Sequence, residues 1–411
     1  MQEERTNVPK IRFKGYAEEW EERKLRDITE RVRGNDGRMD LPTLTISASS
    51  GWLDQRDRFS GNIAGKEQKN YTLLKKGQLS YNHGNSKLAK YGAVFELTTY
   101  DEALVPRVYH SFDTNELASS NFIEYMFATK RPDRELAKLV SSGARMDGLL
   151  NINFDEFMGI NVSVPSVGEQ QKIGTFFKQL DDTIALHQRK LDLLKETKKG
   201  FLQKMFPKNG AKVPEIRFPG FTEDWEERKV FEISKVTYGG GTPKTNTKEF
   251  WNGNIPWIQS SDLEINRLFN ISPKKKITSE AVKKSAAKII PPNSIAIVTR
   301  VGVGKLALMP FEYATSQDFL SLSELQIDSY FGIFSLYSML QKELKNIQGT
   351  SIKGMTKSDL LEKKVTIPKK YEEQQKIGNF FKQLDDTIAL HQHELDSLKE
   401  MKKSLLQQMF V

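Results

Sequence analysis

The chain has 411 residues, 28% of them charged and 38% hydrophobic, and its formal net charge of +9 describes a soluble globular protein of two or three domains. It contains no cysteine, which excludes a disulfide framework, a thiolate metal site and a cysteine nucleophile. The polar N-terminus and the lack of a long apolar run predict a cytoplasmic protein with no membrane partner, and the basic balance fits a polyanion.

The first domain is predicted to be mixed α/β and to occupy residues 1–165. Strands are predicted for VFELTT from Val94 and ALVPRVYHSF from Ala103, because these are short apolar runs that end at turn residues. Helices are predicted for NFIEYMFATK from Asn121 and RELAKLV from Arg134.

A single long helix is predicted for residues 166–206. Ser166 and Glu169 have the spacing of a capping box at its start, and Pro207 predicts its end. The apolar positions step by four and three residues in turn, which is typical of a coiled coil. These seam positions are Ile173, Phe177, Leu180, Ile184, His187, Leu191 and Leu194.

The second domain is predicted to occupy residues 207–370. Its strands are predicted in SIAIVTRVGVGKLALM from Ser294 and in FLSLSELQI from Phe319, and an amphipathic helix is predicted in FGIFSLYSMLQKELKNI from Phe331. A second long helix is predicted for residues 371–411. Its seam includes Phe381, Leu384, Ile388 and His391.

The sequence is an internal duplication, which decides the architecture. Residues 168–206 recur as 372–410 with 30 of 39 positions identical, and PKIRFKGYAEEWEERKLRDI from Pro9 recurs as PEIRFPGFTEDWEERKVFEI from Pro214 with 12 of 20 identical. The domains between these repeats look unrelated to each other. We therefore predict an α+β, pseudo-two-fold tandem repeat, in which two long antiparallel coiled-coil helices of about 50 Å separate the mixed α/β domains.

No catalytic motif is complete in the sequence. The segment Val301-Gly302-Val303-Gly304-Lys305 resembles a phosphate loop, but Thr299 replaces its first glycine and Leu306 replaces its Ser or Thr. The triple glycine at 239–241 predicts a flexible turn without the strand and helix of a cofactor loop. An adenine methyltransferase tetrad and a nuclease cluster are also missing. We expect a chain that is not an enzyme and holds no metal or cofactor.

Three sets of residues occupy equivalent places in both copies: His187 with His391, Asp181-Asp182 with Asp385-Asp386, and Trp20 with Trp225. The histidines are expected to fix the register of the seam, with a metal or proton-switch role as the alternative. The acidic pairs belong either to a solvated face or to a contact with a partner subunit. The tryptophans are expected to pack where each domain meets a helix, or else to dock a partner.

The repeated blocks resemble a known family over essentially the whole chain. They are EQQKIGTFFKQLDDTI from Glu169, EQQKIGNFFKQLDDTI from Glu373 and the Trp20 and Trp225 blocks, together with GGGTPKTNTKEFWNGNIPWIQSSDL from Gly239. SSGARMDGLLNINFDEFMGINVSVP from Ser141 and GTSIKGMTKSDLLEKKVTIP from Gly349 support the likeness, each lying just before a long helix. In these features the chain resembles the specificity subunit of type I restriction-modification enzymes.

The resemblance implies two target-recognition domains, each reading half of a bipartite site in double-stranded DNA. It also implies two methylation subunits, which bind S-adenosylmethionine and methylate adenine at N6, and restriction subunits that use ATP and Mg²⁺. This chain would select the site and assemble its partners. The alternative is a non-catalytic coiled-coil adaptor without sequence-specific DNA binding.

Bases and phosphates are read by basic and amide or hydroxyl side chains in loops. In the first domain, which lacks a GGTP-type opening, the predicted contacts are His83, Asn85, Lys87, Arg107, Ser142 and Arg145. In the second domain they are Thr242, Lys244, Ser260, Arg300, Lys305, Thr350, Ser351 and Lys353. Lys274, Lys275 and Lys276 form a basic run that either contacts phosphates or is a solvated face.

Overall fold

The computed structural model describes residues 7–59, 65–140, 149–208, 210–346 and 355–411. The chain divides into two compact units. The first unit is Met1–Gln188 with His393–Val411, and the second is Arg189–Gln392. Each unit therefore contains one variable domain and part of each long helix. Within the described residues, no helix combines the length and apolar character needed to cross a bilayer.

The first half of the chain carries short strands and helices followed by one long helix. The strands are β1 (Glu21–Lys24), β2 (Thr29–Arg31), β3 (Leu44–Ser47), β4 (Gly51–Asp54), β5 (Thr72–Lys75), β6 (Leu79–Asn82), β7 (Ala93–Glu96), β8 (Glu102–Val105), β9 (His110–Thr114) and β10 (Asn161–Val164). The helices are α1 (Gln55–Phe59), α2 (Ser120–Ala128), α3 (Asp133–Leu139), α4 (Phe154–Met158) and α5 (Val167–Lys204). Strands β2, β9, β6 and β7 form a four-stranded sheet in that order.

The second half repeats this plan, including an equivalent four-stranded antiparallel sheet, but its additional strands differ. Its strands are β11 (Glu226–Lys229), β12 (Ser234–Gly239), β13 (Trp251–Ile258), β14 (Lys275–Ile277), β15 (Ser294–Val298), β16 (Leu306–Met309), β17 (Ala314–Thr315), β18 (Phe319–Leu325) and β19 (Lys364–Ile367). Its helices are α6 (Ser279–Lys283), α7 (Ser329–Asn346), α8 (Lys357–Glu362) and α9 (Tyr371–Gln408). Strands β12, β18, β15 and β16 form one sheet, and β14, β13 and β17 form another.

These elements confirm the strands and helices expected from apolar patterning. The run from Ser294 becomes the antiparallel hairpin β15–β16, and the run from Phe319 becomes β18, which pairs with β15. The segment from Ala103 is two strands, β8 and β9, because Pro106 opens a turn between them.

The two repeated motifs meet within each unit. Strand β1, from the first short motif, pairs antiparallel with β10, which leads into α5, and Glu21 lies opposite Val164. Strand β11 pairs in the same way with β19, which leads into α9, and Glu226 lies opposite Ile367. The short motif and the start of the long helix thus form one repeated docking module.

A buried ion pair holds each docking module. The Arg12 guanidinium donates to both oxygens of the Glu169 carboxylate at 2.7 Å, and Arg217 binds Glu373 in the same two-pronged manner. The side chains of these glutamates are 0% and 2% exposed. The capping box expected from Ser166 and Glu169 is therefore wrong, because the charged guanidinium is the stronger partner for the carboxylate.

An aromatic cluster closes each unit. In the first unit, Trp20, Phe122 and Phe177 surround Phe410 from the end of the α9 segment. In the second unit, the equivalent partners Trp225, Phe331 and Phe381 surround Phe206, which follows α5. Trp20 and Trp225 are 3% and 4% exposed, so the structure places both in packing positions.

The long helices run antiparallel, as predicted. Within the first unit, Lys402 of α9 binds the Asp181 carboxylate of α5 at 2.5 Å. Within the second unit, Lys198 of α5 forms an ion pair with Asp385 of α9. Later positions on one helix thus meet earlier positions on the other. The two pairs are equivalent under the duplication.

The remaining seam residues lie in or beside the helix packing. Phe177, Leu180 and Phe381 are buried, and Ile184, Leu384, Ile388 and His391 are half-buried. His187 is also half-buried, with its Nδ1 at 3.7 Å from the Glu394 carboxylate in the first unit. The second members of the acidic pairs, Asp182 and Asp386, are exposed, although Asp386 accepts from Lys382 at 2.6 Å.

Candidate nucleic-acid interface

The triple glycine of the second domain is a tightly packed turn at the end of β12. A Cβ atom on Gly240 would lie 2.0 Å from the Ser316 carbonyl oxygen, and one on Gly241 would lie 2.4 Å from the Ala286 carbonyl carbon. No side chain fits at either position, so glycine is required for close backbone approach. The turn expected from the sequence is present, and its packing shows that it joins several loops.

The structure brings several predicted contact residues to the loops around this turn. Thr242 is exposed and its hydroxyl donates to the Gln317 side-chain oxygen at 2.5 Å. The Lys305 ammonium donates to the Ser260 carbonyl oxygen at 3.0 Å, so this lysine anchors one loop to another. Lys244 is exposed.

Arg300 lies at the turn of the β15–β16 hairpin. Thr299 holds the base of that turn, since its amide and its hydroxyl both donate to the Asp318 carbonyl oxygen. The Arg300 side chain is exposed, and neighbouring Val301 is 76% exposed. A guanidinium on an exposed turn is suited to a phosphate or a guanine edge, and the apolar side chain beside it is suited to a thymine methyl.

The lysine run lies on an exposed edge of the second domain. Lys274, Lys275 and Lys276 are all exposed. The Lys275 ammonium lies 5.6 Å and 5.8 Å from the ring centroids of Trp251 and Trp257, a cation–π arrangement. This contact orients one lysine of the run against the two tryptophan rings.

A groove of about 710 Å³ in the first domain collects several predicted residues. Asn85 and Lys87 line it and are exposed, and Arg107 is exposed between two lining residues, Pro106 and Val108. Sequence reasoning missed Arg58 and Asn82, which also line the groove. No local motif marks them, because α1 and β6 come together only in the fold.

His83 is buried beside the groove rather than within its lining. The ring is 7% exposed, with Nδ1 at 2.7 Å from the Leu150 carbonyl oxygen and Nε2 at 3.0 Å from that of Val108. It stacks on His110 with ring centroids 4.9 Å apart. Burial lowers the pKa of His110 to about 4. The His83 ring thus bridges two backbone segments, at Leu150 and Val108.

Five of the predicted contacts lie outside the described residues: Ser142, Arg145, Thr350, Ser351 and Lys353. Two basic residues that sequence reasoning missed lie near the glycine turn, Lys288 and Lys357. Lys288 lies in no recognisable motif, and Lys357 lies in the block from Gly349 but was not among the predicted contacts. The folded arrangement brings both lysines to the turn.

The comparisons with known proteins agree with one another. A family model described as the type I restriction modification DNA specificity domain matches residues 17–196 and 222–400. These two matches together cover most of the chain, one for each copy of the duplication.

Two curated relatives come from Methanocaldococcus jannaschii. The type I restriction enzyme MjaIX specificity subunit is 31% identical over 193 residues, which cover 46% of this chain and 44% of that protein. The putative type I restriction enzyme MjaX specificity subunit is 22% identical over 419 residues, covering 97% and 95%. The chain thus spans less than half the length of the first relative and nearly all of the second.

A solved structure shares the fold. The crystal structure of the type I restriction-modification S subunit from M. genitalium matches with a TM-score of 0.62 and 13% identity, over 98% of this chain and 99% of that one. At this identity the likeness concerns the fold alone. It is the fold with two α/β regions and antiparallel long helices.

Proposed function

The chain belongs to the family of type I restriction-modification DNA specificity proteins, which is non-catalytic, and on that premise we propose that it reads a split DNA site and holds two methylation subunits. Each recognition domain would read one half-site of an asymmetric, bipartite target in double-stranded DNA. The restriction subunits would join the same assembly. The domain limits 1–165, 166–206, 207–370 and 371–411 remain part of this proposal.

One observation carries the proposal: two equivalent docking modules hold two unlike domains. The Arg–Glu pair, the antiparallel strand pair and the aromatic cluster recur in both units. The additional strands of the two domains differ: the first domain has the two-stranded sheets β3–β4 and β5–β8, and the second has the three-stranded sheet β14, β13 and β17. Two identical partners need two equivalent surfaces, while two different half-sites need two different reading surfaces. The molecule supplies both requirements.

The exposed faces of the long helices support binding of two identical partners. Leu186 on α5 is 58% exposed and its equivalent on α9, Leu390, is 57% exposed. The exposed Asp182 and Asp386 lie one helical turn earlier. An apolar side chain that stays exposed at the same place in both copies suits a protein contact.

The chemistry of modification is assigned to the partners. S-adenosylmethionine would bind to the methylation subunits, and ATP and Mg²⁺ to the restriction subunits. The residues proposed to read DNA are those predicted above, in the groove of the first domain and around the glycine turn of the second.

The assembly predicts a defined stoichiometry. Mixing the full chain with its methylation subunit should give a complex of one specificity chain to two methylation subunits, measured by light scattering. Mapping of methylated adenines should then reveal a target with an unread gap. A one-to-one complex that modifies a continuous target would contradict the proposal.

The adaptor alternative makes a different prediction about DNA. A chain that binds DNA through its recognition domains shows affinity that falls steeply with salt and depends on sequence. An adaptor with incidental basic charge shows no difference between sequences.

A further inference from the structure

Separate segments of the second domain converge on its glycine turn. Gly239 faces Lys357, since a Cβ there would lie 2.7 Å from the lysine Nζ. Gly241 packs on the backbone of Ala286 and Ala287, immediately before Lys288. The Gly241 amide also donates to the Thr315 carbonyl oxygen at 2.9 Å. The turn therefore connects the segments that carry Lys288 and Lys357 to the loop of residues 315–318.

Arg300 follows a residue that is bonded to the same loop. The backbone carbonyl oxygen of Asp318 accepts a hydrogen bond from the Thr299 amide at 2.8 Å, which fixes the residue before Arg300. Lys288 and Arg300 are exposed and Lys357 is half-buried. Within the part of the chain that the structure describes, none of these three cations forms an ion pair or a side-chain hydrogen bond.

The charged form of Lys357 is disfavoured in the free protein. The pKa of Lys357 lies below its ordinary value, first because burial disfavours the charged ammonium, and then because Arg300 and Lys288 are close. Asp318 offsets this only in part. Some exposed lysines of this unit are paired with carboxylates instead, as Lys284 is with Glu280 and Lys364 is with Glu227. An anion bound here would relieve the repulsion.

We propose that Lys288, Arg300 and Lys357 form a binding site for a backbone phosphate of duplex DNA in the second recognition domain. The assignment rests on the proposed function, and it adds two lysines that were not among the contacts predicted from the sequence. Lysine is a point charge without the fork that matches a base edge, which suits it to phosphates. The site lies beside the exposed hairpin turn with Arg300 and Val301, so phosphate binding would set the position of that turn on the duplex.

The test measures the salt dependence of duplex binding by the full chain. We expect Lys288→Gln combined with Lys357→Gln to reduce the slope of log affinity against log salt by about 0.9, the value for one phosphate contact. The loss should be equal for the mapped target and for a mixed-sequence duplex. Lys357→Arg keeps the charge and should retain the slope.

A matched control removes the same charge elsewhere in the second unit. Lys235 lies near the start of β12, at the opposite end of that strand from Gly239, and Lys369 lies between β19 and α9; both are exposed. Lys235→Gln combined with Lys369→Gln should leave the slope unchanged. An unaltered slope in the first double variant, or an equal reduction in this control, would overturn the site while the proposed function stands.

Two further outcomes separate the possible sources of phosphate. If inorganic phosphate or a mononucleotide competes as well as duplex at equal phosphate concentration, the site takes free phosphate and the DNA assignment fails. If the wild-type chain binds duplex without any salt dependence, the proposed function fails together with the site.

Discussion

Glu169 and Glu373 are single residues on which each docking module depends. A buried carboxylate without a cation is strongly destabilising, because no ion pair offsets the free energy lost when the carboxylate leaves water. Arg12 and Arg217 supply that cation from the short motif, 157 and 156 residues earlier in the chain. This explains physically why the two motifs occur together in both copies of the duplication.

Glu124 of α2 gives a pH-dependent stability. Burial raises the pKa of its carboxyl to about 7, although the Glu96 amide donates to it at 3.2 Å. Because the folded pKa lies above the unfolded value, stability is greatest below the unfolded pKa and is lost as pH rises towards 7 and beyond.

The variant Glu124→Gln tests this directly. It removes the ionisation and keeps an acceptor oxygen for the Glu96 amide, so we expect it to be more stable than wild type by about 1–3 kcal/mol near pH 8. The gain should disappear near pH 4, where the wild-type carboxyl is protonated in both states. Hydrogen exchange of the α2 amides at both pH values measures the difference. An equal difference at both would show that ionisation is not the cause.

Single residues also mark the limit of sequence-based prediction. Lys305 was expected to contact DNA as a basic loop residue, but the sequence contains no sign that its ammonium binds the Ser260 carbonyl oxygen. Lys288 and Lys357 are 69 residues apart in the sequence and become neighbours of one turn only after folding. Such contacts depend on tertiary approach, which local patterns do not encode.

At the scale of elements, the two helix-pairing ion pairs are equivalent in sequence but differ in burial. Side-chain exposures are 11% and 15% for Lys198 and Asp385, but 24% and 39% for Lys402 and Asp181. Burial raises the pKa of Asp385 despite the nearby Lys198. The free-energy cost of desolvating the Asp385 carboxylate therefore exceeds the stabilisation of its charge by Lys198.

This difference predicts unequal mutational effects. We expect Lys198→Met to destabilise the second unit by about 3 kcal/mol, because it strands a buried charge. The double change Lys198→Met with Asp385→Leu should recover most of that loss. The matched change Lys402→Met should cost about 1 kcal/mol, as for a more exposed pair. Urea denaturation of each variant measures these values, and equal costs at the two sites would contradict the argument.

Elements were predictable where the signal was local. The heptad seam predicted both long helices, because a period of three and four is a property of consecutive residues. The capping-box prediction was wrong because it considered only residues 166–169. The Glu169 carboxylate is instead bound by Arg12, which lies in a distant segment of the chain. Sheet order in each domain was not predictable, since it depends on which distant strands pair.

At the scale of the whole molecule, the proposed function makes the long helices a spacer between half-sites. We propose inserting one heptad after Gln188 in α5 and one after the equivalent Gln392 in α9, which preserves the seam. The unread gap should lengthen by about three base pairs, since seven residues add roughly 10 Å of helix.

Both half-site sequences should stay unchanged in this variant, and methylation mapping reads gap and half-sites together. A heptad in α5 alone serves as the control, because it shifts one seam against the other and should weaken assembly. Altered half-sites with a constant gap would contradict the spacer role.

The seating of Phe410 has a consequence for biosynthesis. Leu406, Met409 and Phe410 belong to the same hydrophobic core as Trp20 and Phe122. Those three residues leave the ribosome only after the entire Arg189–Gln392 unit has been translated. During synthesis, the core of the first unit therefore lacks these three side chains until translation is nearly complete. A frameshift late in the coding sequence would remove them and destabilise the first unit, although that unit is encoded mainly by the start of the gene.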